Sequence, residues 1–305
     1  MKQIKFGTTP LKVPAIGLGC MRIPSLGTKG AVRGLVDAAL DQGINFFDHA
    51  DIYGGGEAER LFGEAVGPAL RDRLILQTKC AIRPGVCYDF SKGHILSSVD
   101  ASLKRLGTDY VDILLLHRPD ALMEPEEVAE AFTALKQQGK VRYFGVSNHN
   151  PAQIELLNHY CGGQIMANQL QLSIPHCDFI DAGLNVNIHN EAGVDRDGGV
   201  LEYCRLKGIT VQAWSPFQYG TFEGVFLGSE KFPALNRLLD ELAEKYAVTP
   251  GAIAVAWILR HPAHIQAIVG TTNRQRLADI AKAPEVTLTR EEWYALYLAA
   301  GKSLP

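Results

Sequence analysis

Short apolar runs alternate with longer amphipathic segments along most of this chain. Eight of the runs are four to six residues long and end in turn or polar residues. Runs of this length and character are typical of strands buried in a parallel sheet. We therefore predict strands at Ile16–Gly19, Ile44–Phe47, Leu74–Thr78, Asp112–Leu116, Val141–Val146, Ile165–Gln169, Ile209–Trp214 and Ile265–Val269.

The segments between these runs have apolar residues at helical spacing. In one of them Ile95, Val99, Leu103 and Leu106 fall on a single helical face. Capping residues, prolines and glycines mark the ends of several others. We predict helices over Lys29–Gln42, Glu57–Leu70, Ser91–Leu106, from near Pro125 to a stop at Gly139, from Asn150-Pro151 onward, and over Pro233–Lys245, Pro250–His261 and Thr289–Ala300.

Eight strand–helix units in succession predict the α/β class and a (β/α)8 TIM barrel, rather than an open doubly wound sheet. Before the first unit, Ile4–Phe6 and Leu11–Val13 flank a turn, which predicts an N-terminal β-hairpin. The last predicted helix is a C-terminal addition to the barrel. We see no linker, repeat or low-complexity segment, so we expect residues 1–305 to form a single domain.

Polar residues with complementary chemistry stand where three of the strands end. The second strand runs into Asp48, the third into Lys79 and the fourth into His117, while Tyr53 follows Asp48 in a glycine-rich loop. The carboxyl ends of parallel barrel strands face one common crevice. We therefore expect an acid, a cation, an imidazole and a phenol to converge there as a proton-transfer site.

This set of residues suits proton donation to a carbonyl oxygen. A free phenol has a pKa near ~10, and a neighbouring ammonium such as Lys79 favours the phenolate and so makes Tyr53 a stronger acid. Asp48 can serve as the counter-ion that keeps a buried lysine charged. His117 can hold the substrate oxygen by a hydrogen bond. The sequence thus predicts reduction of an aldehyde or ketone.

Other interpretations of these residues remain open. Taken singly, the Asp–Lys pair fits a rim salt bridge, Tyr53 a packing residue and His117 a turn residue. Strand-end lysines in barrels also form imines, so a Schiff-base aldolase using Lys79 is an alternative enzyme. His176, Cys177, Asp178 and His189 lie in what we predict to be an irregular stretch, at a spacing that fits no standard metal site. We predict no metal.

Composition excludes several classes of partner. The formal charge is −3 without a basic tract, which argues against nucleic acid and anionic lipid. No apolar run approaches the length of a membrane span, and the start does not resemble a signal peptide. Six widely spaced cysteines are typical of reduced thiols. We expect a cytoplasmic enzyme for a small-molecule carbonyl substrate, either a monomer or a small homo-oligomer.

Five separate segments resemble the aldo-keto reductase superfamily, in its bacterial-type oxidoreductase branch. Residues 46–56, Phe-Phe-Asp-His-Ala-Asp-Ile-Tyr-Gly-Gly-Gly, resemble the family signature, with Asp48 and Tyr53 five apart. Thr78-Lys79 and Leu115–His117 resemble its lysine and histidine segments. Residues 145–148 and 168–169 resemble its nicotinamide-binding segments. The resemblance spans about residues 16–283 and implies Tyr53 as the general acid, tuned by Lys79 and Asp48, with His117 orienting the carbonyl.

The resemblance also implies a nicotinamide cofactor bound without a Rossmann fold, and the chain has no Gly-x-Gly-x-x-Gly opening a βα unit. Ser147, Asn148 and Gln169 would hold the carboxamide, with Trp214 stacked on the ring. We prefer NADPH over NADH, because Arg276 matches the family's phosphate-binding arginine. The remaining expected cofactor-binding residues are Gly19, Cys20, Met21, Ser215, Pro216, Gly220, Gly270, Thr271, Thr272 and Asp279.

Two departures from the family pattern concern the far end of the cofactor. Asp279 and Ile280 stand where many members have a Glu-Asn pair against the adenine. No lysine or arginine adjoins Thr271-Thr272, where many NADPH-dependent members carry one. A non-enzymatic alternative is a cofactor-sensing regulatory subunit with little turnover, since some members of the family regulate a partner.

Overall fold

The computed structural model of the chain describes residues 1–304, so Pro305 of the predicted domain lies outside the described residues. Eight parallel strands close into a barrel in which neighbours in sequence are neighbours in space, and the last pairs with the first. After a hairpin of β1 (Gln3–Lys5) and β2 (Lys12–Pro14), the barrel strands are β3 (Ile16–Gly19), β4 (Phe46–Asp48), β5 (Ile75–Cys80), β6 (Val111–Leu116), β7 (Val141–Ser147), β8 (Ile165–Gln171), β9 (Thr210–Trp214) and β10 (Gln266–Val269). The predicted (β/α)8 barrel is confirmed.

Eleven α-helices surround the barrel within the described residues. They are α1 (Lys29–Asp41), α2 (Glu57–Val66), α3 (Lys92–Leu106), α4 (Pro125–Gln137), α5 (Pro151–Cys161), α6 (Asp178–Leu184), α7 (Val200–Lys207), α8 (Pro233–Tyr246), α9 (Pro250–Leu259), α10 (Arg274–Ile280) and α11 (Arg290–Ala299). The predicted C-terminal helix is α11, which begins with a capping box between Thr289 and Glu292. No single helix within residues 1–304 has both the length and the apolar character of a membrane span. Taken together, α8 and α9 have that length and character, but the chain bends by 90° between them.

Two predictions of local structure were wrong. The helix expected over Glu57–Leu70 ends at Val66, because Gly67 adopts a positive φ of 64° and Pro68 opens a separate 3₁₀ helix. The stretch around His176–His189, expected to be irregular, contains α6. No three His, Cys, Asp or Glu side chains within residues 1–304 group as metal ligands, at that stretch or elsewhere.

Apolar packing occupies two regions of the molecule. The larger lies between the barrel strands and the helices. The smaller fills the lower barrel, where Phe46, Ile113 and Ile268 pack with Phe6 and Val13 of the hairpin segment. The amide of Gly7 donates to Thr210 Oγ1 at 2.7 Å, at the start of β9. The hairpin therefore covers the amino end of the barrel and leaves the carboxyl end open to ligands.

Candidate active site

The four residues that we predicted to form the proton-transfer site meet at the carboxyl end of the barrel. Asp48 ends β4, Lys79 lies near the end of β5, and His117 directly follows β6. Lys79 Nζ is 2.7 Å from Asp48 Oδ2 and 3.0 Å from the hydroxyl oxygen of Tyr53. The Tyr53 and His117 rings meet edge to face, with centroids 5.9 Å apart. Strands separated by dozens of residues thus assemble one compact polar cluster.

Glycines after Tyr53 let the chain turn back toward its strand. Gly54, Gly55 and Gly56 all have positive φ, at 59°, 65° and 94°. A side chain at Gly56 would also meet Arg105, with Cδ 2.8 Å from the added Cβ. Residues with a Cβ rarely adopt this backbone conformation. Glycine at these three positions therefore allows the tight turn that joins Tyr53 to α2.

Lys79 is fully buried, and its ammonium is fully hydrogen-bonded. Its three donors go to Asp48, to Tyr53 and to the His49 carbonyl, the last at 2.9 Å. Burial alone would lower the pKa of Lys79. The charge of Asp48 and the contact between Lys79 and Tyr53 outweigh burial and hold this pKa above its usual value. An imine-forming lysine must present a neutral amine to its substrate. Lys79 does not line the cavity, so the geometry disfavours a Schiff base.

The pKa of Tyr53 departs from the sequence-based expectation. Burial raises it above the usual value, and the charge and hydrogen bond of Lys79 offset this only in part. The phenol therefore stays protonated around neutral pH. Because its oxygen accepts from the ammonium, its own proton is free to point elsewhere. Tyr53 thus presents a protonated phenol to the cavity that it lines.

His117 is neutral in this environment. Burial, Lys79 and Arg118 together hold the pKa of His117 well below its usual range. Its Nδ1 is buried with no hydrogen-bond partner among residues 1–304, and the residue lines the cavity beside Tyr53. A neutral imidazole has one N–H donor, which suits a hydrogen bond to a carbonyl oxygen.

A cavity of about 1240 Å³ opens over these residues. It contains most of the positions that we expected to act in catalysis or to bind the cofactor: Gly19, Met21, Asp48, Tyr53, His117, Ser147, Asn148, Gln169, Trp214, Ser215, Pro216, Gly270, Thr271, Arg276 and Asp279.

Three of the expected cofactor-binding residues do not line the cavity: Cys20, Gly220 and Thr272. Cys20 is fully buried, and its thiol donates to the Leu18 carbonyl at 3.5 Å, so its side chain faces the core. The Gly220 carbonyl accepts from Gln171 Nε2 at 2.7 Å, in the loop after β9. The cavity also includes two aromatic residues of the loop after β9, Phe217 and Phe222.

The middle of the cavity fits an aromatic carboxamide. Asn148 and Ser215 directly follow their strands with left-handed φ values of 60° and 51°, a strained backbone that is common at functional sites. Trp214 Nε1 donates to Asn148 Oδ1 at 3.1 Å, which fixes the indole beside the amide. Phe222 stacks 5.9 Å from Trp214. These groups offer a flat apolar surface next to polar atoms, as a nicotinamide requires.

The outer end of the cavity fits an anionic group. Arg276 is exposed on α10 and has no ion pair among the described residues. The Arg276 amide donates to Asn273 Oδ1 at 2.9 Å, so the cap already satisfies this backbone donor. Asp279 accepts from Gln275 Nε2 at 3.0 Å. The Arg276 guanidinium is thus available here for a phosphate.

Two buried histidines beside the site predict a loss of stability in acid. His49 has no partner for either ring nitrogen among residues 1–304, and burial followed by the charge of Lys79 lowers its pKa to about 3. Burial lowers the pKa of His149 to about 4. Below a pH of roughly 6.5, the pKa of histidine in the unfolded chain, the unfolded chain binds more protons than the folded one. The free energy of unfolding therefore decreases as the pH is lowered, by about 2 kcal/mol per histidine at pH 5.

The variant His49→Leu separates this effect from that of other titrating groups. We expect its free energy of unfolding, from urea titrations at pH 7 and pH 5, to drop by about 2 kcal/mol less than that of the parent. Equal drops in the two proteins would show that His49 is not held neutral by burial.

Comparison with known proteins agrees with this geometry. The aldo/keto reductase family model matches residues 15–297. The oxidoreductase YcsN of Bacillus subtilis is 39% identical over 89% of each chain, and a 6-dehydroglucose reductase of Agrobacterium fabrum is 37% identical over 90% of this chain and 89% of its own. The crystal structure of an aldo-keto reductase from Klebsiella pneumoniae in complex with NADPH superimposes with a TM-score of 0.75 at 26% identity, covering 97% of this chain and 93% of that one. The chain therefore belongs to the aldo/keto reductase family and is an NAD(P)H-dependent oxidoreductase.

Proposed function

We propose that this protein reduces an aldehyde or ketone to the alcohol with NADPH, and that Tyr53 supplies the proton. The observation that carries the proposal is the buried chain of contacts from Asp48 through Lys79 to the Tyr53 hydroxyl, with His117 on the same cavity wall. Bound NADPH supplies the hydride. The hydride adds to the carbonyl carbon and the proton to the oxygen, which completes the alcohol.

Each residue of the cluster has a distinct role in this proposal. The Tyr53 phenol holds its proton until negative charge develops on the substrate oxygen. The Lys79 ammonium, 3.0 Å away, then stabilises the phenolate that remains. Asp48 keeps Lys79 charged. Neutral His117 donates a hydrogen bond to the carbonyl oxygen and so sets its distance from Tyr53.

The free guanidinium of Arg276 supports the preference for NADPH. Replacing Arg276 by Met should weaken NADPH binding about 10–100-fold, because a charge-assisted contact to the 2′-phosphate is lost. NADH lacks this phosphate, so its affinity should change less than about threefold. Dissociation constants for both cofactors are measured by quenching of tryptophan fluorescence.

Arg274→Met is the matched control for this prediction, since Arg274 lies on the same helix but does not line the cavity. Arg274→Met removes the same charge and should leave the ratio of the NADPH and NADH affinities unchanged. Equal weakening of NADPH and NADH by Arg276→Met would contradict the assignment of a phosphate contact.

The proposed reaction is tested by NADPH oxidation in the presence of a panel of aldehydes and ketones, with the alcohol identified by mass spectrometry. The similarity to a 6-dehydroglucose reductase puts sugar-derived aldehydes first in that panel. Carbonyl-dependent oxidation with an alcohol product supports the proposal. Tight NADPH binding without turnover of any member would instead favour the cofactor-sensing alternative. Borohydride trapping of a substrate on Lys79 would favour the aldolase.

A further inference from the structure

A second, smaller cavity adjoins the larger one at the carboxyl ends of β7 and β8. Its volume is about 480 Å³, and Arg118, Asn148 and Trp214 line both cavities. The rest of its wall is mostly polar, comes from the loops after β7 and β8 and before α7, and does not line the larger cavity. This second cavity is thus a candidate for the part of the substrate that lies beyond the carbonyl group.

Arg118 connects the two cavities next to the catalytic cluster. It directly follows His117, and its charge contributes, after burial and Lys79, to the lowered pKa of that imidazole. Within residues 1–304 its guanidinium makes no ion pair and no hydrogen bond, so its N–H donors are available. A substrate whose carbonyl oxygen contacts His117 can therefore place a neighbouring oxygen against Arg118.

The second cavity also contains hydrogen-bond acceptors. Asp178 and Asp197 line it, and within residues 1–304 neither carboxylate has an ion pair or accepts a hydrogen bond. Gln171 Nε2 donates to the Gly220 carbonyl at 2.7 Å, which leaves Gln171 Oε1 as an acceptor. A hydroxyl group both donates and accepts. A cavity with groups of both kinds therefore fits hydroxyl groups, whereas an alkyl chain would displace water without replacing its hydrogen bonds.

The charges of the second cavity disfavour an anionic occupant. Because Arg196 is already in an ion pair with Glu191, the carboxylates of Asp178 and Asp197 stand against the guanidinium of Arg118. Burial, followed by the charge of Asp178, raises the pKa of Asp197, so these two carboxylates already repel each other. A further negative charge in the cavity would add to this repulsion.

We propose that the second cavity binds the hydroxyl-bearing part of the substrate, and that the protein selects uncharged polyhydroxylated aldehydes through Arg118, Asp178 and Asp197. This inference rests on the proposed function, in which the aldehyde is reduced beside Tyr53 and His117. Arg118 donates to a hydroxyl oxygen close to the carbonyl group. Asp178 and Asp197 accept from hydroxyl groups farther along the chain.

Erythrose, butanal and 4-oxobutanoate test this selection, because they are aldehydes with the same number of carbons and differ in having hydroxyl groups, an alkyl tail or a carboxylate. We measure kcat/KM for each with saturating NADPH. Arg118→Met should lower kcat/KM about 10–100-fold for erythrose and less than about threefold for butanal, since only erythrose loses a hydrogen bond to a charged group. Comparison of each variant with the parent cancels the fractions of the aldehydes that are cyclic or hydrated.

The double variant Asp178→Asn with Asp197→Asn tests the acidic side of the cavity and carries the test if Arg118→Met does not fold. It removes the repulsion, so kcat/KM should rise about tenfold for 4-oxobutanoate and fall at least about threefold for erythrose. Arg237→Met is the control, because Arg237 is exposed on α8 and lines neither cavity. It should leave the kcat/KM of every aldehyde near the parental value.

Equal effects of a folded Arg118→Met variant on erythrose and butanal would overturn the inference. So would a parental protein that reduces butanal but not erythrose, or that prefers 4-oxobutanoate to both uncharged aldehydes. If the parent reduces no member of the wider panel of aldehydes and ketones, the proposed function fails, and the inference fails with it.

Discussion

Replacing Tyr53 by Phe should lower the rate of carbonyl reduction by about 10²–10⁴-fold, while the affinity for NADPH changes less than about threefold. The substitution removes one oxygen and leaves the ring that packs edge-on against His117. The hydride donor stays in place, but the developing alkoxide no longer has a protonated acid beside it. Steady-state rates with the best aldehyde, together with fluorescence titration of NADPH, measure the two quantities.

Tyr88→Phe is the matched control for this substitution, because Tyr88 lies on an exposed hairpin after β5 and does not line the cavity. It should retain the parental rate and affinity. If Tyr53→Phe kept more than about a third of the parental rate, Tyr53 would not be the acid. If it lost NADPH affinity as well, its role would be in binding rather than in proton transfer.

The second large effect is expected for Lys79→Met, which should impair both catalysis and stability. The ammonium that stabilises the phenolate is lost, so reduction should slow by about 10²–10⁴-fold. Asp48 is then left as a buried charge without its cation, and breaking such a pair costs about 3–5 kcal/mol. Urea unfolding at neutral pH measures this loss of stability.

The double variant Asp48→Asn with Lys79→Met separates these two effects. Removing both charges relieves the unpaired carboxylate, so most of the lost stability should return. Activity should not return, since the ammonium is still absent. Recovery of activity together with stability would mean that Lys79 matters only for folding.

The barrel could be predicted from the sequence because its signals are local. Each strand is a short apolar run closed by turn residues, and the rule that parallel strands share one open end brings Asp48, Lys79 and His117 together. The helix boundary at Val66 also has a local signal, the dipeptide Gly67-Pro68. By contrast, α6 and α7 lie in a stretch rich in Asn, Asp and Gly, where the helical pattern is weak.

The electrostatics of the site and the hydrogen bonds between buried glutamines inside the barrel depend on tertiary structure and could not be predicted in this way. The pKa of Tyr53 is raised because burial outweighs Lys79, and the extent of burial follows from how the loops close over the phenol. Gln77 and Gln212 are separated by 135 positions, and each has the pattern of an ordinary polar position in a strand. Only barrel closure brings their amides to hydrogen-bonding distance.

Transfer of deuterium from NADPH labelled on both faces of nicotinamide carbon 4 tests the central claim most directly. The protein is incubated with the labelled cofactor and an aldehyde, and the alcohol is analysed by mass spectrometry. We predict one deuterium on the former carbonyl carbon, at a rate that falls about 10²–10⁴-fold in Tyr53→Phe. Consumption of NADPH without a deuterated alcohol, or equal rates in the two proteins, would contradict carbonyl reduction with Tyr53 as the acid.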